Sequence, residues 1–346
     1  MKTEDQKDSE ATRWNHRPNG PVALNPLFEW PPKFLAIVRW YSAYWLAAST
    51  TTLALVLAIT AYFTILPSLE AMQKPQLGWI TRVWIANLVP HTICAGVLHL
   101  WLYKFKGQDK DFKYDPRQPA TNNGIFSFRN QVHDNMFWSL TSGIGQLTIF
   151  QSITMWLLAN NYSPVNSFSS NPFWFLAFFL LIPIWSAFHF YWIHRFLHIP
   201  FFYKRYHSLH HRNVNVGPWS GFSMHPVEHL FYISSLCIHW ILASHPIHII
   251  FHALYLGPGA AMTHTGYENL LIKDKKRLAL GTFYHQLHHR YYECNYGNEE
   301  MPWDRWFGTF HDGSQLATEQ TRACLLYTSD AADEGLGVDL GGRRII

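Results

Sequence analysis

The sequence predicts an all-α integral membrane protein with about four transmembrane helices, a short re-entrant helical hairpin and a cytosolic histidine-rich helical domain. Three observations predict it. Of 346 residues, 48% are hydrophobic and 17% aromatic against 14% charged, an unusual balance for a soluble chain. The apolar residues are blocked together: 41–66, 83–103, 136–158 and 172–193 contain no charged residue, and each is long enough to cross roughly 30 Å of hydrocarbon. Third, one tight histidine pattern occurs twice in the polar half, as HSLHH and HQLHH. That polar half also dilutes the mean hydropathy to -0.08.

Taken in order, residues 1–38 carry Lys2, Lys7, Arg13, Arg17 and Lys33 without an apolar core of their own. They predict a cytosolic N-terminal segment and no cleavable signal peptide. Residues 39–171 hold the first three spans and their loops. Segment 104–134 contains Lys104, Lys106, Lys110, Lys113, Arg117 and Arg129, whereas 160–171 has no charge. The positive-inside rule then puts the histidine boxes on the cytosolic side. A net charge of +4 fits this orientation and gives no reason to invoke nucleic acid. Cys94, Cys237, Cys294 and Cys324 show neither metal-type pairing nor a disulfide framework.

Residues 172–323 read as one domain that starts with the fourth span. Within it, 230–244 and 247–262 are each too short to cross comfortably, and His245-Pro246 makes a turn between them. A hairpin entering and leaving on the cytosolic side keeps the histidine boxes together. After HTGYENLL comes a basic loop with Lys273, Lys275, Lys276 and Arg277, then a helical FYHQLHHRYY. Trp303, Trp306 and Phe307 suit either the headgroup level or packing on the histidine domain. From Cys324 the chain reads CLLYTSDAADE and ends GVDLGGRRII. We read 324–346 as the translation of a sequencing adaptor, with a genuine flexible tail as the alternative.

The boxes carry the chemistry. On a helix, positions i, i+3 and i+4 share a face, so His207, His210 and His211, and again His285, His288 and His289, should each project three imidazoles into one small volume. HRFLH adds His194 and His198 one turn apart. Scattering 21 histidines over 346 residues gives one such HxxHH box in about ten chains, so two are a signal. Imidazole suits iron and zinc. His189, His225 and His229 stand close enough in sequence to support ligands. His91, His99 and His239 fall in apolar segments, where a structural hydrogen bond is the default, and His245, His248 and His252 look secondary.

HRFLH, HSLHH, MHPVEH, HTGY, HQLHH and the closing NYG with WDRWFGTF together resemble the fatty acid hydroxylase/sterol desaturase superfamily of membrane di-iron oxidases. The resemblance implies that 172–323 is a catalytic domain hydroxylating or desaturating a membrane lipid, sterol or fatty acyl, with O2 as co-substrate. It implies two iron ions on His194, His198, His207, His210, His211, His264, His285, His288 and His289, with no catalytic residue separate from these ligands. Zinc can occupy such a site in recombinant protein. Glu228, Glu268 and Glu293 would orient ligand rings by accepting their second N–H. The chain has no built-in haem, so the electron donor would be separate: cytochrome b5, or ferredoxin with its reductase. The endoplasmic reticulum and a bacterial inner membrane both fit. The alternatives are a haem-binding membrane electron carrier, disfavoured because triplets on one face do not offer opposed axial ligands, and a zinc-dependent membrane hydrolase.

Overall fold

The computed structural model describes residues 14–331 and is mostly helical. Residues 332–346, most of the expected adaptor stretch, lie outside the described residues. Helix α1 (Phe34–Trp45) and α2 (Thr50–Thr64) meet at a bend of 45°. The break has a local cause: Ser49 caps α2, its Oγ accepting from Thr52 N at 3.1 Å. Helix α1 buries no residue of its own and presents Phe34, Leu35 and Val38 outward.

Helix α3 (Leu77–His99) continues through a π-turn to Lys104. Helix α4 (Gln131–Trp138) runs through a second π-turn, Ser139–Gly143, into α5 (Ile144–Ala159). Helix α6 (Pro172–Leu197) starts on an Asn171 cap with proline in its first turn, the usual start signal. By length and composition, 77–104 and 172–197 can each cross a membrane, and the bent α1–α2 pair passes jointly as a third. The all-α membrane class stands on these helices.

The hairpin departs from expectation in two ways. Its first limb is not one helix but α7 (Pro226–Ile233) followed by a 3-10 stretch, Ser234–Trp240. Its second limb, α8 (Pro246–Thr263), is about 27 Å long. The tip also reaches further than a shallow re-entry: Ser244 N donates to Pro164 O at 3.0 Å, Asn166 N to Ser244 O at 2.9 Å, and Trp174 Nε1 to Ala243 O at 2.7 Å. It therefore meets the uncharged 160–171 loop at the opposite end of the bundle. In α8 every residue except Tyr255 and Thr263 is buried, and the helix packs on α2, α3, α5 and α6. Phe178 and Ile182 of α6 meet Phe251 and Leu254 of α8 in the largest apolar cluster. Sheathed by protein, α8 does not face the length requirement set by lipid.

The basic loop is likewise more ordered than expected. Strands β1 (Asn269–Ile272) and β2 (Lys275–Ala279) pair antiparallel, with Lys273 and Asp274 both at positive φ in the two-residue connection, the backbone that such tight hairpins require. Helix α9 (Phe283–Tyr291) carries the second box, and α10 (Gln315–Ala331) closes the described chain. Where the described residues begin, Trp14 packs edge-on against Phe283 at 5.0 Å, with the Arg290 guanidinium 3.9 Å from its ring.

Candidate metal centre

The nine histidines converge in two abutting groups. His194, His198, His207, His211 and His288 form one, and His210, His264, His285 and His289 the other; within each, one nitrogen per ring lies within 4.8 Å of all the rest. His211 and His289 bridge the groups with ring centroids 5.0 Å apart. Each HxxHH box is split between them, not gathered in one volume as the helical face suggested. His207 and His211 go one way and His210 the other; His285 and His289 go one way and His288 the other. The reason is angular. Positions i and i+4 differ by about 40° around a helix, whereas i+3 and i+4 differ by about 100°. The first box also straddles a junction, His207 ending a π-turn and His210 and His211 lying on the α-turn that follows.

Backbone carbonyls fix the tautomers. His194 Nδ1 donates to Tyr296 O and His288 Nδ1 to Cys294 O, each at 2.6 Å. His264 Nδ1 donates to Ala260 O at 2.9 Å and His210 Nδ1 to Ser223 O at 3.2 Å. A carbonyl can only accept, so in these four rings Nδ1 carries the proton and Nε2 a bare lone pair. His207 Nδ1 lies 2.8 Å from Glu228 Oε1, a carboxyl that burial pushes well above its ordinary range.

The lone pairs then face one another. His207 Nε2 lies 2.9 Å from His211 Nε2 and 3.2 Å from His198 Nε2; His288 Nε2 lies 3.1 Å from His211 Nε2. In the second group, His285 and His289 Nε2 approach to 3.2 Å. His211 could donate to one neighbour but not to both. The Nε2 atoms of His194 and His264 are buried without a hydrogen-bond partner. Such crowding of acceptors is repulsive unless positive charge sits among them, which is the donor set of a metal pair. Protonation does not offer the alternative. Burial, then neighbouring imidazoles, hold His207, His211, His285 and His289 well below the ordinary range. Burial also takes His210 down to about 4. The rings are neutral at pH 7.

Of the expected supporting residues, Glu228 touches a ligand. His189 contacts Ser234 at 3.0 Å, and His225 caps α7 by accepting from Val227 N. His229 sits between Ser142 Oγ at 3.0 Å and Phe222 O at 3.2 Å. Glu268 lies against His16 at 2.5 Å, and Glu293 accepts from the Tyr296 hydroxyl. Their sequence proximity does not carry them to the rings.

Two supports escaped sequence reasoning. Asp304 accepts from Tyr296 N at 2.9 Å, Gly297 N at 2.7 Å, and the hydroxyls of Tyr284 and Thr309 at 2.5 Å. It thereby sets the loop whose carbonyls orient His194 and His288. Asn213 donates to His210 O at 3.0 Å and accepts from Gln131 and Asn135 at 3.0 and 2.7 Å, tying the first box to α4. The available signal was Gln131 and Asn135 beside the apolar run, amide groups too polar to face lipid.

A cavity of about 500 Å³ opens from these rings, within the usual range for small-molecule sites. Its wall passes from His194, His207, His210, His264 and His285 through Phe190, Met224, Tyr232 and Leu256 to Trp40 and Tyr44 beside the α1–α2 bend. Glu299 is a polar point on this wall, its carboxyl pushed up to about 7 by burial.

The fatty acid hydroxylase family model matches residues 178–309. A Delta(7)-sterol 5(6)-desaturase of Aspergillus fumigatus is 32% identical over 158 residues, 43% of this chain and 44% of that one. One from Schizosaccharomyces pombe is 28% identical over 193 residues, 53% and 60% respectively, and one from Candida dubliniensis 31% over 120 residues, 33% and 29%. The chain thus spans between 29% and 60% of these relatives' lengths. No solved structure matches it.

Proposed function

Because this chain belongs, through residues 178–309, to the fatty acid hydroxylase/sterol desaturase superfamily, we propose that it is an O2-dependent oxidoreductase that hydroxylates or desaturates a membrane lipid. One observation carries the reading: nine imidazoles, one nitrogen of each turned inward in two adjoining groups, stand at the end of an apolar cavity.

His194, His198, His207, His211 and His288 would hold one iron, and His210, His264, His285 and His289 the other. When bound, such a redox pair shares the electrons that reduce O2 and allow an aliphatic C–H bond to be broken, chemistry no side chain supplies alone. The protein does the rest. Carbonyls of Tyr296, Cys294, Ala260 and Ser223 keep four rings in the ligating tautomer. Phe190, Met224, Tyr232 and Leu256 hold the lipid and exclude water. The relatives' names favour a polycyclic, sterol-sized substrate, which the cavity volume accommodates.

We read four crossings, 34–64, 77–104, 131–159 and 172–197, with the boxes on the cytosolic side, where cytochrome b5 or a ferredoxin would deliver electrons. A haem reading finds no support, since ring nitrogens 2.9–3.2 Å apart leave no room for a macrocycle. The test is expression in a host of defined lipid content, with mass spectrometry for lipids gaining one oxygen or losing two hydrogens. Product should require both O2 and reductant, and His210→Ala and His288→Ala should each abolish it while the protein still inserts. Unchanged conversion without O2 would end the proposal.

A further inference from the structure

Away from the nine rings, a second set of buried histidines crosses the helix layer, and the site described above makes no use of it. Ser244 Oγ lies 2.8 Å from His239 Nδ1; His239 Nε2 lies 3.1 Å from His252 Nδ1; His252 Nε2 lies 3.0 Å from Ser186 Oγ. Ser244, His239 and His252 are 0% exposed and Ser186 4%, and Ser186 is on the cavity wall. The four residues come from α6, the 3-10 stretch, the hairpin tip and α8, so the contacts are tertiary. We propose that Ser244, His239, His252 and Ser186 form a proton relay from the far end of the bundle to the cavity.

One assignment of protons runs every link in one direction, with the Ser244 hydroxyl turned from Leu242 O at 2.9 Å, its other acceptor, to His239 Nδ1. The Ser244 hydroxyl donates to His239 Nδ1, His239 Nε2–H to His252 Nδ1, and His252 Nε2–H to Ser186 Oγ. Ser186 in turn donates to Ile182 O at 2.8 Å. The two imidazole N–H donors point the same way, toward Ser186, which hands on its own proton by turning its hydroxyl from Ile182 O to the cavity that it lines, and both imidazoles have both nitrogens engaged. A proton received at Nδ1 is matched by one released from Nε2, so the chain can pass charge without moving a heavy atom. Ser235 Oγ, 3.1 Å from His252 Nε2, steadies the ring at its cavity end. Ionisable groups in an apolar layer are costly to retain for packing alone, and in membrane proteins they mark proton paths. At the outer end, Ser244 is bonded to the 160–171 loop, beside a groove lined by Asn166, Ser167 and His245.

The need for protons rests on the oxidase reading. Hydroxylation consumes RH + O2 + 2e⁻ + 2H⁺ and gives ROH + H2O; desaturation consumes a CH2–CH2 unit + O2 + 2e⁻ + 2H⁺ and gives CH=CH + 2H2O. The electrons come from the separate haem or iron–sulfur carrier. The protons must enter an apolar chamber, and this relay brings them.

Two measurements test it. In metal-free, ¹⁵N-histidine-labelled protein in phosphatidylcholine nanodiscs, the ring N–H groups of His239 and His252 should exchange with D2O within minutes despite full burial. Ser244→Ala should slow both by about tenfold or more. Protection for hours in the parent, or no response to Ser244→Ala, overturns the relay whatever the protein's activity. In the iron-loaded enzyme, Ser186→Ala and His252→Gln, which keeps hydrogen bonding but cannot exchange tautomers, should slow oxidation at saturating reductant by about tenfold and enlarge the solvent deuterium isotope effect. A purely structural role would leave the isotope effect at its parental value, and that result would also overturn the relay. A parent enzyme that forms no oxidised lipid defeats the oxidase reading, leaving the exchange measurement to judge the relay by itself.

Discussion

At the scale of single residues, the centre depends less on the histidines than on what faces their outer nitrogens. Gly221 illustrates this. A Cβ there would collide with the Ala260 carbonyl oxygen and stand 2.8 Å from His264 Nδ1, disrupting the bond that orients His264. Gly221→Ala should therefore empty the four-histidine group while the five-histidine group keeps its ion. Metal analysis of the purified variant should fall from about two equivalents to about one. Retention of both would mean that His264 is not needed to hold the second ion. No inspection of HxxHH spacing could have found Gly221, because its effect passes through a carbonyl 39 residues further along.

Elements explain what the sequence could and could not disclose. The pairs at i and i+4 were legible because helical geometry is local. Which half of one box meets which half of the other was not, since it depends on how α9 and the 203–211 turns face each other. The carbonyl partners were equally hidden: His194 is oriented by Tyr296, 102 positions later, through a loop organised by Asp304. WDRWFGTF was recognisable as a motif, yet its hold on the carbonyls that orient His194 and His288 passes through that one aspartate. Asp304→Ala would strand two backbone N–H groups and the hydroxyls of Tyr284 and Thr309. Each buried unsatisfied group costs about 1–3 kcal/mol, so thermal stability should drop measurably. The five-histidine group, which relies on this loop through His194 and His288, should lose its ion before the other. Asp304→Asn, which preserves the acceptor oxygen, should retain more of both. A variant with parental melting behaviour and full metal content would show that the loop holds its shape by packing alone.

On the scale of the whole molecule, the uncharged runs foretold the helices, and the charge difference between 104–134 and 160–171 predicts an orientation that labelling can test. Hydropathy failed at the hairpin, because α8 is surrounded by protein and its length is judged against neighbours instead of lipid. What fixes the depth of the hairpin is its tip: Ser244 and Ala243 are bonded to the 160–171 loop and Trp174, and Ile241 next to them is 73% exposed. If 160–171 and the basic 104–134 segment face opposite sides of a bilayer, Ile241 must share the side of 160–171, although both ends of the hairpin lead to the histidines. Single cysteines at Ser169, Ile241 and Lys110, introduced with Cys94, Cys237, Cys294 and Cys324 replaced, should separate in sealed vesicles. An impermeant maleimide should label positions 169 and 241 from one side and 110 from the other. Labelling of 241 together with 110 would make the hairpin a shallow re-entry and would detach its tip from the loop it touches here.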